Sequence, residues 1–521
     1  MNIIADLQLH SRFSRAVSPQ MTIPNIAAWA ARKGIGLVAT GDWTHPMWFR
    51  EIQQYLEEMG NGLLKIKDDA LAGSSFDSSR QGPDQFGIHH DLSAKAVTGL
   101  EKTHRPASLP FFLLATEVSC IYSQGGKGRR VHTLIWVPTI DAASKISKEM
   151  TKRGCNLLSD GRPIIGLTSI QVAELVLSIE PKALIIGAHI WTPWFSVYGK
   201  MGGFDSIEEA FGPYAKYIYA VETGLSSNPS MNWRIKELDN RAILSFSDAH
   251  SGPKIGREAT VFEIPEGKLS YEAIYQAIRG GGSGETFFGD AQRSQTMNTG
   301  LPPSSFNEVP PLEKKNSWGS VLGRDFSAPQ NAHPRRPLGF SLESPISNLE
   351  PRISYTIEFY PEEGKYHYTG HRACHVRLQP GETKIKGSTC SVCGKPLTQG
   401  VMERVEELAG RSEADLQISN IQYPISNGKT IQMTASKTFP DRPPFVMLVP
   451  LQEIISEAIG SPVASPKVQG PYVQLTNALG GEFCVLLEQS LENIVKTAIE
   501  SVGSQKGERI AEGLYKVRRG D

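Results

Sequence analysis

The chain has 521 residues and a mass of 57.1 kDa, more than one ordinary core holds, so about two to four domains are expected. Lys plus Arg equals Asp plus Glu at 54 each, which excludes a molecule-wide field drawing it onto nucleic acid or an anionic membrane and leaves any polyanionic partner to a local patch. No stretch reaches the roughly 18–20 apolar residues that cross a bilayer, and the first residues enter strand-like sequence instead of a basic and apolar leader, so a cytoplasmic protein with no membrane partner is expected.

From residue 1 to about 290, short apolar runs stop at, or begin on, side chains of metal-ligand type. They read NIIADLQLH to His10, GLVATGD to Asp42, FFLLATE to Glu117, VHTLIWV from His132, ALIIGAH to His189, YIYAVE to Glu222, and ILSFSDAH to Asp248 and His250. Val/Ile/Leu-rich runs bounded by polar residues predict strands buried on both faces. Helical patterns lie between them: IPNIAAWAARKG, with Thr22 as cap and Pro24 in the first turn, then MWFREIQQYLEEMG, SIQVAELVLSIEP, SIEEAFGPYAKY, MNWRIKELDN and YEAIYQAIRGG. The alternation predicts an α/β fold of parallel strands with covering helices, and about seven units close more naturally into a distorted barrel than into an open sheet. Residues at the strand ends then converge on one mouth.

Two stretches break the pattern. Residues 71–110, rich in Ser, Gly and Pro, predict a surface insertion, and 291–350 a linker or loop-rich connector. A compact zinc-binding module is expected at 351–400 and a mainly helical C-terminal domain at 401–521, where apolar residues recur three and four apart. Of six cysteines, Cys374, Cys390 and Cys393 cluster while Cys120, Cys155 and Cys484 are scattered, which suits a reducing compartment and a metal knuckle better than a disulfide framework.

Histidine nitrogen and carboxylate oxygen together suit zinc, manganese or iron, and a carboxylate can bridge two such ions. Clustered ions of this kind polarise a phosphoryl oxygen and make hydroxide available near neutral pH. Structural roles compete at single positions: Asp42 as a helix cap, and Glu222 as an acceptor of backbone N–H groups.

The series ADLQLHSRFSRA, TGDWTHP, TEVS, His132, GAH, ETG and SDAH resembles, in order, the motifs of the polymerase-and-histidinol-phosphatase (PHP) domain family. The resemblance spans roughly residues 1–290 and implies a metal-dependent phosphoesterase on a distorted seven-stranded barrel. It implies Glu117 as a bridging carboxylate, Gln8, His10 and Asp248 as its first-ion partners, and His132 and His189 as ligands of a second ion. His250, with His45 or Asp42, would serve a third. Two to three divalent ions (zinc, manganese or magnesium) are thus expected, with Glu117, Asp248 and His10 as the catalytic core. There is one departure. The family usually opens His-x-His, and this chain has Gln8, Leu9 and His10; a neutral carbonyl is the weaker donor, so the first ion is expected to be held less tightly and activity to depend on supplied metal.

Further on, HYTGHRACHVRLQPGETKIKGSTCSVCGKP places Cys390 and Cys393 in a CxxC, with Cys374 fifteen intervening residues upstream and His371 three before that. Four N and S ligands predict one structural zinc; His367 and His375 compete with His371 for the fourth place. Arg372, Arg377, Lys384 and Lys386, with Tyr366 and Tyr368, are candidates for phosphate and base contacts, diluted by Glu362, Glu363 and Glu382.

GKYHYTGHRAC, CSVCGKPLTQGV and RVEELA, following such a barrel, resemble the endonuclease Q family of archaea and some bacteria. That resemblance implies a prokaryotic, nucleoid-associated repair nuclease that cuts 5′ to deaminated bases (uracil, hypoxanthine, xanthine) or abasic sites in DNA, with a replication clamp as an open question. Such an enzyme examines a base outside the stack. Trp43, Trp191, Trp194, Phe195 and Tyr122 are candidate pocket walls, each also explained by packing, and Arg12 and Arg15 candidate phosphate contacts, also explained by surface ion pairs. Two rivals remain at this point: a small-molecule phosphoesterase of the histidinol-phosphatase kind, and a lesion-binding protein with a weakened metal site, which Gln8 keeps in play.

Overall fold

A computed structural model describes residues 1–68, 109–280, 350–425 and 429–520 of the chain. The insertion expected at 71–110 and the connector at 291–350 therefore lie, apart from their edges, outside the described residues.

Strand β1 (Asn2–Asp6) lies parallel to β2 (Leu37–Ala39), joined by the helix Ile23–Lys33. That helix starts where the sequence indicates, after Thr22 with Pro24 in its first turn, and stops at Gly34 in the left-handed region. A small hairpin of β3 (Leu56–Glu58) and β4 (Leu64–Ile66) precedes β5 (Phe111–Gln124), which continues the parallel order on β2. The order then breaks. Gly125 and Gly126 both take positive φ, and the chain folds straight back as β6 (Lys127–Val137), antiparallel to β5 along its length. A two-glycine turn specifies a hairpin, so the expectation of uniformly parallel strands fails at SQGGKG.

The two-residue β7 (Ile164–Ile165) pairs with β5, β8 (Leu184–Gly187) is antiparallel to β6, and β9 (Ala220–Glu222) and β10 (Ala242–Leu244) follow in parallel. Strand β11 (Ala259–Glu263) returns antiparallel onto β1. The sheet then continues through β12 (Arg352–Glu358), which pairs with β11. Burial explains why: RISYTIE is covered along all but its first residue, so it belongs inside a larger sheet and not in an isolated module.

A ribbon of β13 (Thr369–His371) and β14 (Val376–Leu378) carries the cysteine region. Strands β15 (Ile418–Pro424), β16 (Thr430–Ser436) and β17 (Phe445–Met447) complete the large sheet before the C-terminal helices Leu451–Ile459, Pro466–Leu479, Leu491–Val502 and Ser504–Arg519. The architecture is mixed α/β around one large sheet. Its described pairings form an open path from β10 to β15, and the expected closed seven-stranded barrel is not among them.

The rest of the chain is riveted to the first half by buried cations. Arg404 donates to the carbonyls of Tyr198 and Phe204, Arg442 to Leu238 O and Asp239, and Lys33 pairs with Glu482 at 2.9 Å, both nearly inaccessible. Each has a fixed partner, as buried charges require. No helix among the described residues is long and apolar enough to cross a membrane.

Candidate metal centre

Three expected ligands occupy left-handed backbone at a strand end: Asp42 (φ 45°), His189 (φ 29°) and Asp248 (φ 47°). Such conformations are uncommon for residues other than glycine and concentrate where a site needs a side chain turned sharply. At β2 the turn is tightened further, because Gly41 brings its backbone so near Leu9 O that a side chain would collide with it. The exits of β1 and β2 are thereby pressed together, which carries His10 to Asp42.

His10 is the hub of one group. Its Nδ1 lies 3.0 Å from Asp42 Oδ1, and its Nε2 is 3.2 Å from Asp248 Oδ1 and 3.3 Å from Glu117 Oε2. His250 joins through an edge-on ring contact with His10, and its Nδ1 bonds the Asp248 carbonyl at 2.8 Å. Glu117 anchors the second group from the middle of β5. His132 opposes Ser119 on β6, so it shares Glu117's face of the hairpin diagonally; its Nδ1 lies 2.5 Å from Glu117 Oε1, and His189 Nε2 lies 3.6 Å from the same oxygen. Within each of the groups His10/Asp248/His250 and Glu117/His132/His189, the ligand atoms all lie within 4.8 Å of one another.

The neighbouring residues orient these ligands. Asp42 Oδ2 accepts from Ser11 N, Ser11 Oγ and Ser14 Oγ, at 2.6, 2.7 and 2.8 Å, so this carboxylate is committed to holding His10. Glu222 is fully buried and accepts the backbone N–H groups of His189 and Gly224, the structural role weighed for it from sequence. His45 is used up as well: its Nδ1 accepts from Trp48 N at the start of the helix Pro46–Tyr55, its Nε2 meets Leu158 O, and its ring stacks on Phe13. Among the described residues His250 groups with His10 and Asp248, and neither Asp42 nor His45 belongs to that group.

Charge states follow from this packing. Burial opposes a charged His10, yet Asp42, Asp248 and Glu117 hold its pKa well above the ordinary histidine value. Burial likewise opposes ionisation of Glu117 and Asp248, but His132, Arg162 and His10 around the first, and His10 and His250 around the second, keep both below the usual carboxylate range. Burial lowers His132 to about 4 and raises Glu222 to about 8. The neutral His132 imidazole beside the ionised Glu117 is the form a metal needs. Gln8 Oε1, Glu117 Oε1 and Asp248 Oδ1 are buried acceptors without a well-formed hydrogen bond, and three such oxygens beside histidine nitrogens fit a divalent cation. Gln8 meanwhile donates Nε2 to Glu117 Oε2 at 3.0 Å.

One residue escaped the sequence reading. Arg162 Nη1 lies 3.3 Å from His10 Nε2 and 3.6 Å from Glu117 Oε1. It precedes the two-residue β7 instead of following a strand, so a search of strand ends passes over it; the turn signal SDGRP was the one available cue.

The nucleic-acid candidates divide. Trp43 and Trp191 are buried, the latter donating Nε1 to Asn232, so packing accounts for both. Phe195 packs on the His132 ring, Tyr122 meets Ser169 Oγ, and Trp194 contacts Tyr366 edge-on. Arg12 pairs with Glu51, and exposed Arg15 with Asp160 at 3.2 Å. Arg372, Lys384 and Lys386 are exposed, Lys386 paired with Glu382 at 2.7 Å.

Away from the strand ends, His371, Cys374, Cys390 and Cys393 form a third group within 4.8 Å. The CxxC turn closes through Gly394 N to Cys390 O at 2.9 Å, with Gly394 at φ 70°. Burial opposes the Cys390 thiolate, but the N–H groups of Cys393 and Val392 pull its pKa to about 6, which favours a metal-binding form. Of the histidines competing for the fourth place, His367 bonds Ser226 O and His375 lies outside the group.

Comparison with known proteins gives the following. Residues 450–505 match the family described as the MJ0043 C-terminal domain. The chain is 26% identical over 391 residues to the uncharacterized protein YqxK of Bacillus subtilis, covering 74% of this chain and 70% of that one. It is 24% identical over 308 residues to the uncharacterized protein MJ0043 of Methanocaldococcus jannaschii, covering 59% of this chain but 27% of that one. Among solved structures it resembles the lesion-specific endonuclease PfuEndoQ of Pyrococcus furiosus, with a TM-score of 0.64, 25% identity, and coverage of 100% of this chain and 91% of that one. It also resembles an endonuclease Q bound to a 27-mer duplex with an abasic lesion at the active site, with a TM-score of 0.65, 24% identity, and coverage of 100% and 92%. The fold is that of the endonuclease Q structures.

Proposed function

We propose that the protein is a metal-dependent DNA repair endonuclease of the PHP type, cutting the phosphodiester 5′ to deaminated bases (uracil, hypoxanthine or xanthine) or to abasic sites in the prokaryotic cytoplasm. The observation that carries this reading is the pair of His/carboxylate groups that meet at Glu117, whose oxygens reach His10 on one side and His132 on the other, on a chain that resembles the endonuclease Q structures. Divalent ions bound there would supply Lewis acidity and a hydroxide near neutral pH.

The chain's own residues do the rest. Glu117 presents one oxygen to each group, Asp42 fixes the His10 ring so that Nε2 faces Asp248 and Glu117, and Glu222 fixes the backbone turn that aims His189. Asp248 and His250 are the partly open members, with side chains 25% and 33% exposed, so substrate reaches the centre from their side. The cysteine group would hold one structural zinc in a module whose Arg372 and Lys384 face solvent and are free to meet phosphates.

Matched duplexes carrying uracil, hypoxanthine, xanthine or an abasic site, incubated with protein and manganese or magnesium, should be cut one bond 5′ to the lesion. A metal-loaded sample that spares every one of them would refute the substrate claim. Gln8, which turns its amide donor toward Glu117, favours one alternative, a lesion-binding protein that does not cut. Unchanged DNA affinity in Glu117→Ala, with no cleavage before or after the change, would support that alternative.

A further inference from the structure

The strand-end centre contains one guanidinium, and it sits where the ligand groups meet. Arg162 Nη1 is within 3.3 Å of His10 Nε2, in the first group, and 3.6 Å of Glu117 Oε1, in the second. A guanidinium stays charged at any physiological pH and has a planar fork of donors matched to phosphate oxygens.

The loop that delivers it is built for close approach. Gly161 lies so tightly against Ser14 Oγ and the Asp42 carboxylate that any side chain there would collide with both, and its N–H bonds Phe13 O at 3.0 Å. Asp160 Oδ1 accepts the N–H groups of Arg162 and Arg15, closing the turn onto the segment after His10. The guanidinium end is nonetheless reachable: the Arg162 side chain is 24% exposed, whereas those of His10 and Glu117 are 1% exposed.

Around it, the residues offered for a third ion are engaged by other partners. Among the described residues two His/carboxylate groups assemble, not three. Asp42 and His45 are spent on His10, Ser11, Ser14, Trp48 and Leu158. Gln8 supplies a neutral amide where a further imidazole would strengthen the first site.

We infer that Arg162 is the third cation of this centre: the site takes two metal ions, and the Arg162 guanidinium grips the non-bridging oxygens of the scissile phosphate in place of a third. This rests on the phosphodiesterase reading above. Arg162 Nη1 and a metal ion cannot both sit against His10 Nε2 and Glu117 Oε1, so the two compete for that place. Once displaced from it, the guanidinium keeps its full set of donors for the phosphate.

The test compares full-length wild type with Arg162→Ala and Arg162→Lys, the lysine variant keeping the charge but losing the fork, with thermal melting to verify folding. Manganese bound beyond the cysteine-module zinc is counted by elemental analysis, and its affinity measured by titration without DNA. Wild type should bind two manganese ions. Arg162→Ala should bind them at least about tenfold more tightly, since a competing charge a few ångströms away is removed, while Arg162→Lys stays near wild type. Cleavage kcat should fall about 10²–10³-fold in Arg162→Ala, the usual cost of one phosphate-directed donor, and millimolar guanidinium should restore part of it, which a structural role would not allow. Three ions in wild type, unchanged metal affinity in Arg162→Ala, or cleavage within threefold of wild type would each overturn the inference. If wild type binds two ions but cuts no DNA, the endonuclease reading fails and the phosphate grip assigned to Arg162 fails with it; the count and affinity then decide separately whether the arginine competes with metal.

Discussion

His10, Glu117, His132, His189 and Asp248 project from the main sheet and its strand ends into a largely buried cluster, whereas His371, Cys374, Cys390 and Cys393 sit on and beside a short two-stranded ribbon, with Cys393 exposed. In the first cluster the ligands are set by strands that bury large apolar surfaces, and each key ring is fixed by a further residue: Asp42 for His10, Thr192 for His189. In the second, few apolar side chains are buried, and Ile385 and Val392 are 87% and 68% exposed. The contrast teaches where each shape comes from. The strand-end cluster is preorganised by the fold, while the cysteine module, with little apolar surface buried, would draw its shape from a bound ion.

The sharpest break of this comparison comes at its centre. Glu117→Gln removes the charge shared by both groups and should cost about 10³-fold or more in cleavage, several kcal/mol of transition-state stabilisation, with a thermal melt close to wild type because strand packing is kept. The cysteine module should behave in the opposite way. With the proposed zinc bound there, Cys390→Ser or treatment with a chelator should loosen residues of that ribbon enough for limited proteolysis within it, with loss of one zinc by elemental analysis, while the melt of the main sheet stays in place.

A smaller effect is expected from Asp42→Asn. It leaves all ligands present but disturbs the orientation of His10, so metal affinity at the strand ends should drop about 10–100-fold, measured by manganese titration.

The smallest effect concerns buried acids that have no histidine beside them. Glu258 and Glu358, both fully buried, stand at the end of the β11–β12 pairing, each with an unpartnered Oε2. Burial raises Glu258 well above the ordinary value, and Glu358 to about 7. A carboxyl whose folded pKa is raised contributes stability that is fully present below its unfolded pKa of about 4.5 and is lost as pH rises through about 7. Stability should therefore fall across that window, and Glu358→Gln should flatten the slope and raise the melting temperature at pH 8. A wild-type melt that climbs through the window would show that these acids are ionised like those of the strand-end cluster.

Much of the cluster was legible in the sequence, because strand periodicity marks where a run ends and a ligand-type residue at that point is turned into the site. Glu117 and His132 were found this way although they lie within long strands and not at their ends; the hairpin, signalled by Gly125 and Gly126, was missed. The roles of Asp42 and His45 were not legible, since a side chain that binds an ion and one that orients its neighbour have the same spacing. Arg162 was invisible for a different reason: it enters from a turn before a strand, and only the approach of Gly161 to Asp42 places it. The extension of the sheet through β12 was hidden by the long gap in sequence between it and β11, which no local pattern bridges.

The central claim is most directly tested by one measurement: chelator-treated protein, reloaded with manganese, is given an end-labelled duplex containing a single abasic site, and the cut is mapped to the nucleotide. The account expects no cleavage before reloading and, after it, a single break on the 5′ side of the lesion leaving a 3′-hydroxyl. Full cleavage by the metal-free protein, or an intact duplex with ions bound at His10, Glu117 and Asp248, would contradict it.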